Sequence, residues 1–327
     1  MKTTEIALAL QGGGAHGAFT WGVLDRLLET RRYHPAALSG ASAGAMNAAL
    51  LAYGWMEDGY DGAREALGQF WQRLSALYPW PAAHAPPVAL QGLLQLSHFL
   101  TSDQLNPFDY NPLRELIASS IDFARLRTTP IQLFIAATHV NSGRLKLFHA
   151  HELSVEHLLA SACLPQLHHT VHIDGEAYWD GGLTANPPLF PLAYQGRARD
   201  IVLVTLVPQQ WEEMPGRAGA VERRLNDISF GSSLHTELQG LAIAKREAGR
   251  SLFGLGRLER HLRQLRLHHI DADATTGALD SLSKLTPHHG LVQQLFAAGR
   301  ERAQAWLQEH GAEVGRKSTM RLWRRIG

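Results

Sequence analysis

Within its first fifty residues the chain twice passes from a short apolar stretch through a glycine-lined turn into a helical stretch. The first passage is "LALQGGGAHGAFTWGVL" (residues 8–24) and the second is "LSGASAGAMNAAL" (residues 38–50). Residues 5–11 read as a buried strand and 15–30 as a helix, with Val23, Leu24, Leu27 and Leu28 in an apolar stripe at i, i+3, i+4 spacing. A second strand ends near Ser39, and a helix of small residues runs from about Ala43 to Ala52. Strand, turn and helix repeated in this way is the βαβ pattern of a parallel sheet, so these fifty residues commit the chain to an α/β fold.

The rest of the chain fits that frame. Residues 131–140 and 144–148 read as strands of a hairpin turning at 141–143, and 154–162 as a helix. "VHIDGEAYWDGG" (171–182) reads as a second hairpin turning at Asp174-Gly175. A buried strand is expected over 200–207, helix over 221–253, a strand over 264–270 and an amphipathic helix over 291–310. The expected fold is a mostly parallel central sheet flanked by helices. At 327 residues, with 45% hydrophobic and 19% charged residues, the chain can bury the core such a sheet needs. It has no internal repeat and no charge-rich linker. One domain over 1–315, followed by a basic tail at 316–327, is therefore expected.

Composition removes several classes of function. A formal net charge of +1 gives no general attraction for nucleic acid. The single cysteine, Cys163, allows neither an intrachain disulfide nor a thiolate metal cluster, and its small apolar neighbours read as a buried structural site. His139, His149 and His151 have no second cluster at ligand spacing, so no metal or organic cofactor is expected. The run Ile6–Leu10 is too short for a signal-peptide core, and no stretch approaches the roughly 18 apolar residues of a membrane span. A soluble, cytoplasmic protein is the expectation.

The second turn, Gly40-Ala41-Ser42-Ala43-Gly44, is a G-x-S-x-G between a strand and a helix. There a serine adopts a sharp turn that lifts its hydroxyl above the sheet, and the flanking glycines clear the space. The plainer reading is a tight turn with Ser42 as helix N-cap. The first turn, Gly12-Gly13-Gly14-Ala15-His16-Gly17, is formally G-x-G-x-x-G. A dinucleotide site would want an acid about 20 residues further on, at the end of the second strand. The chain there reads "RRYHPAALSG", with no acid. The same physics serves an oxyanion hole, in which the amides of Gly13 and Gly14 at a helix N-terminus meet the charge that a nucleophile creates. Neighbouring parallel strands open both turns on one edge of the sheet.

A proton acceptor for Ser42 is less clear from the residues alone. Eighteen histidines leave a His base open. Asp180, in "YWDGGLTANPP", is the strongest acid candidate, because the strand ends there in a tight glycine turn. Asp174 is a decoy at a hairpin tip, where Asp-Gly serves the turn.

The glycine loop, the G-A-S-A-G turn and the later D-G-G, in that order, resemble the patatin-like phospholipase family, in the form of a bacterial member. The resemblance covers about residues 5–210 and implies a three-layer α/β sandwich. It implies a Ser–Asp dyad without a catalytic histidine, in which Ser42 is the nucleophile, Asp180 the general base, and Gly12, Gly13 and Gly14 the oxyanion hole. Gly17, Gly40, Gly44, Gly181 and Gly182 are the accompanying motif glycines. A dyad needs a carboxylate more basic than an ordinary Asp, so partial burial is expected, with Tyr178 and Trp179 as its source. The implied activity is acyl-ester hydrolysis of lipids. Many family members carry Arg or Lys where this chain has His16, which leaves a preference for phosphate-bearing lipids open.

Three alternatives stand beside this reading: an intracellular polyester depolymerase with the same dyad, a Ser-His-Asp esterase, and a non-catalytic lipid-binding module. Proline-flanked "VALQGLLQLSHFL" (88–100), with Leu93, Leu94 and Phe99, reads either as a core helix or as a lid or acyl groove. The tail's Arg316, Lys317, Arg321, Arg324 and Arg325 read either as a contact with an anionic membrane surface or as a solvated end. The implied partner is a lipid ester, with peripheral contact to a lipid surface. Residues 211–327 match no motif of the family.

Overall fold

A computed structural model describes residues 3–78, 102–106, 108–208, 214–216, 218–250, 256–277, 279 and 281–320. The lid or groove expectation at Leu93, Leu94 and Phe99 lies outside them, as does the basic-tail expectation at Arg321, Arg324 and Arg325. The strands are β1 (Thr4–Leu10), β2 (Tyr33–Gly40), β3 (Gln132–His139), β4 (Arg144–His149), β5 (Val171–Ile173), β6 (Glu176–Asp180), β7 (Asp200–Thr205) and β8 (Arg266–Asp271). They form one sheet in the order β5-β6-β3-β2-β1-β7-β8, with β4 also on β3. The run from β3 to β8 is parallel, whereas β4 and β6 are antiparallel to β3. The main helices are α1 (Gly17–Glu29), α2 (Ala43–Ala76), α3 (Val155–Ser161), α4 (Ala218–Arg250) and α5 (His289–His310).

Two-residue periodicity in the strands sorts the core into two faces. Leu8, Leu10, Leu38, Ile135, Val202 and Val204 point into one cluster, shared with α1, α2, α3 and α5. Their neighbours Ala7, Ala9, Ala37, Phe134, Ile201 and Leu203 point into the other, shared with α4 and the helices Phe190–Tyr194 and Arg257–Gln264. Helix, sheet and helix make the three-layer sandwich. A strand buried on both faces shows no polar alternation, which is why β1 and β7 read as continuous apolar runs.

Two elements differ from the sequence reading. The helix expected to stop near Ala52 continues to Ala76 through a break at Asp58 and Gly59, where Gly59 takes φ +54°. Its second half keeps a stripe of Ala63, Leu67, Phe70 and Trp71 at i, i+4, i+7, i+8, but glycines and charged outer-face residues obscure it in the sequence. The start of the basic tail is fastened rather than free. The Thr319 and Met320 amides donate to the Leu267 carbonyl, and the Gly315 amide donates to Asp200 at 2.8 Å. These contacts lie at the N-terminal ends of β7 and β8. No described helix is long and apolar enough to cross a membrane.

Candidate active site

One irregularity of the sheet brings the site together. β4 pairs along β3 over Phe134–His139, so β2 and β6 must share the other edge of β3. β2 runs parallel to β3 and ends with Gly40 opposite Ile135. β6 runs antiparallel and ends with Asp180 opposite Ala137. The two strands therefore meet end to end across the single position Ala136. At this junction Ser42, just beyond β2, and the carboxyl group of Asp180 face a common cavity.

The backbone at both residues is tightly held. Ser42 has φ +53° and ψ −126°, a left-handed conformation that costs a non-glycine residue roughly 1–3 kcal/mol. Its amide is shared between the carbonyl and hydroxyl oxygens of Ser161, each at 3.0 Å. Two residues on, the Cys163 carbonyl accepts the Asp180 amide at 2.8 Å. A single short segment at the end of α3 thus fixes both residues. Gly44 allows the turn to pack, since a Cβ there would lie 2.0 Å from the Leu10 carbonyl oxygen. Gly40 backs onto Gly44, Gly17 onto Ala43 and Trp71, and Gly181 onto Ala136. The Cys163 thiol is buried, pushed up to about 12 by burial, and donates to the His169 carbonyl.

Asp180 is 1% exposed. Burial pushes its carboxyl up to about 6, against the opposing pull of the Gly182 amide and the Ser42 hydroxyl. The Gly182 amide donates to Oδ1 at 2.7 Å. Tyr178 and Trp179 do not line the cavity. The Tyr178 ring packs on Phe148 and His139, and Trp179 Nε1 donates to Thr170. Phe230 of α4 instead packs against Gly182 beside the carboxyl group.

The first glycine turn lies directly on the second. A Cβ on Gly12 would sit 2.8 Å from Ser42 Cβ. The Gly12 amide is already spent on Asn186 Oδ1 at 2.7 Å. Among the described residues, no acceptor takes the amides of Gly13 and Gly14. Gly14 has φ +57° and abuts the Lys284 carbonyl. His16 is buried behind the loop, bonded to the Ser283 hydroxyl at 2.7 Å, and driven down to about 3 by burial and by Lys284. It is neutral at physiological pH and carries no charge for an anionic ligand.

The cavity has a volume of about 470 Å³. Gly12, Gly13, Gly14, Ser42, Asp180 and Asn186 form its polar floor. Leu164, Pro165, Leu167, Leu183, Val207, Phe230, Leu282 and Leu285 supply apolar walls, and Arg223 and Lys284 stand among them. No histidine is among the lining residues described. His139 is engaged by Ser142 and Glu176, His149 stacks on His151, and no described group of His, Cys, Asp or Glu is arranged for a metal. Sequence reasoning missed Asn186, although it lies six residues after Asp180, as well as Ser161 and the walls from 222–230 and 282–285.

A model of the patatin-like phospholipase family matches residues 8–193. The chain belongs to this family. The match takes in both glycine turns, Ser42, Asp180 and Asn186, and stops short of α4 and Lys284. Among individual proteins, the uncharacterized protein YjjU of Escherichia coli K12 is 28% identical over 234 residues, covering 69% of this chain and 58% of that protein. Among solved structures, VipD from Legionella pneumophila gives a TM-score of 0.43 at 16% identity, over 95% of this chain and 67% of that one. ExoU of Pseudomonas aeruginosa, solved in complex with SpcU, gives 0.32 at 15% identity, over 97% and 80%. This patatin-like chain therefore builds its cavity from residues inside the family match and from others beyond it.

Proposed function

We propose that the protein is a serine lipid acyl hydrolase working through a Ser42–Asp180 dyad. The carrying observation is the end-to-end meeting of β2 and β6 on one edge of β3, which brings a strained serine and a buried, raised-pKa aspartate to one cavity. In this reading the Ser42 hydroxyl attacks an ester carbonyl while Asp180 accepts its proton, and the carbonyl oxygen becomes an oxyanion received by the Gly13 and Gly14 amides. Collapse expels the alcohol, which takes the proton back from Asp180 and leaves an acyl-Ser42. Water, deprotonated by Asp180, attacks the acyl group and frees the acid.

A carboxyl group pushed up to about 6 is a better base than an ordinary Asp and is still ionised at neutral pH. The apolar walls suit an acyl chain. Within the described lining the ionisable group at the Ser42 end of the cavity is the Asp180 carboxyl, which supports the dyad reading. For contact with a lipid surface, we favour α4 over the tail. α4 walls the cavity and turns Val221, Leu225 and Ile228 outward at i, i+4, i+7, exposed by 42%, 62% and 47%. The start of the tail is tied to the opposite end of the sheet.

The test is hydrolysis of p-nitrophenyl esters of increasing chain length by wild type and Ser42→Ala. The expected outcome is a loss on the order of 10⁴-fold or more at every chain length. Hydrolysis by Ser42→Ala at the wild-type rate would remove the serine from the chemistry.

A further inference from the structure

Asn186 faces the cavity beside the glycine loop, is 1% exposed, and has every polar group of its side chain engaged. Oδ1 accepts from the Gly12 amide at 2.7 Å, and Nδ2 donates to the Phe230 carbonyl at 3.2 Å. Only one orientation of the amide satisfies both partners, because a backbone N–H must find an acceptor and a carbonyl a donor. The residue's own carbonyl accepts from Gln11 Nε2 at 3.1 Å. Gln11 Oε1 in turn receives the Leu206 and Val207 amides at 2.6 and 2.8 Å. A buried polar network runs from the end of β7, through the loop, to α4.

The bond to Gly12 has a geometric consequence. Gly12 touches Ser42, so the direction of its amide sets where the next two amides point relative to that hydroxyl. If the Gly12 N–H were left without an acceptor in this buried place, the loop would rotate to find one.

We propose that Asn186 is a positioning residue for the glycine loop: by taking the Gly12 amide it aims the Gly13 and Gly14 amides into the cavity. Through Phe230 it also ties that aim to α4, which lies beyond the family match. The proposal rests on the reading of Ser42 as nucleophile. An oxyanion hole acts only on the charge formed in the transition state, so a misaimed loop lowers turnover and leaves ground-state binding alone.

The test uses the full chain, p-nitrophenyl octanoate, a trifluoromethyl ketone of matching chain length and the unreactive alkyl ether. The ketone forms a bond to the Ser42 oxygen, its carbonyl oxygen becomes the oxyanion, and Asp180 takes the proton. Asn186→Ala is expected to lower kcat about 10- to 100-fold with KM within about twofold, the signature of a displaced donor. Affinity for the ketone should fall by the same factor, while the ether binds as it does to wild type. Asn186→Ser, which stays polar but cannot reach Gly12, should behave in the same way and serves if the alanine variant does not fold. Wild-type kcat in a folded variant, or equal loss of ketone and ether affinity, would overturn the proposal. Ser42→Ala separates the two readings. An active Ser42→Ala enzyme removes the underlying dyad, whereas an inactive one beside an Asn186→Ala enzyme at full rate removes only the positioning role.

Discussion

Two aspartates, each 1% exposed, begin or end strands of the same sheet, and their surroundings treat the charge in opposite ways. Asp200 opens β7 at the edge away from the cavity. Burial pushes its carboxyl up, but hydrogen bonds from His268, Arg266 and the Gly315 amide outweigh that and hold it far below the usual carboxylate range. Arg266 binds it with two nitrogens, at 2.9 and 2.8 Å. Asp180 closes β6 at the cavity. It receives one backbone amide and the Ser42 hydroxyl, with no cation among the causes of its shift, and burial prevails. The same burial thus gives a fastener where partners are supplied and, where they are withheld, a raised carboxyl group of the kind the proposed mechanism uses as its base.

The sharpest way to break this comparison is to remove each charge in turn. Asp180→Asn should abolish ester hydrolysis while stabilising the fold. A carboxyl group raised to about 6 from about 3.9 in the unfolded chain favours folding only while protonated. That contribution is complete below about pH 4 and is lost as pH rises through about 6. Above pH 7 the asparagine variant should therefore be more stable, by up to about 3 kcal/mol, with a raised midpoint of thermal unfolding. Unchanged or lowered stability would mean that Asp180 is not held against its charge.

Asp200→Asn should do the reverse. It leaves Arg266 and His268 around a neutral group, and losing one member of a buried ion pair costs about 3–5 kcal/mol. Because the folded pKa lies below the unfolded one, the wild-type contribution is present above about pH 4 and lost as pH falls further. Denaturant unfolding at pH 7 should record the loss, while kcat per folded molecule stays within about twofold. A large fall in kcat would join the two ends of the sheet functionally and undo the contrast.

A smaller effect concerns pH. With Asp180 as the base, kcat for an uncharged ester should rise about tenfold per unit below pH 6 and level off above it. His16 adds no second limb, because it is already neutral throughout that range. A limb near 6.5 that His16→Gln abolishes would contradict this account.

The same contrast explains what the sequence could disclose. The two glycine turns, the βαβ start and both hairpins were legible because they are local: periodicity and turn residues lie within a few positions of one another. Ser42 and Asp180 stood out for the same reason. That β6 joins the edge of β3 just where β2 leaves it is a long-range pairing without a local signature, yet it places Asp180 beside Ser42. Asn186 stood six positions past the aspartate in plain view, but an asparagine before two prolines reads as turn chemistry until its bond to Gly12 is seen. Phe230 and Lys284 reach the cavity from helical stretches beyond the family match, where ordinary patterning marks only packing.

The most direct test of the central claim is labelling with a fluorophosphonate, combined with peptide mapping, on wild type and Asp180→Asn. The account predicts one adduct per chain, on Ser42 in the wild type, and labelling largely lost in the folded Asp180→Asn variant. An adduct on another residue, or labelling of Ser42 undiminished without Asp180, would contradict the dyad.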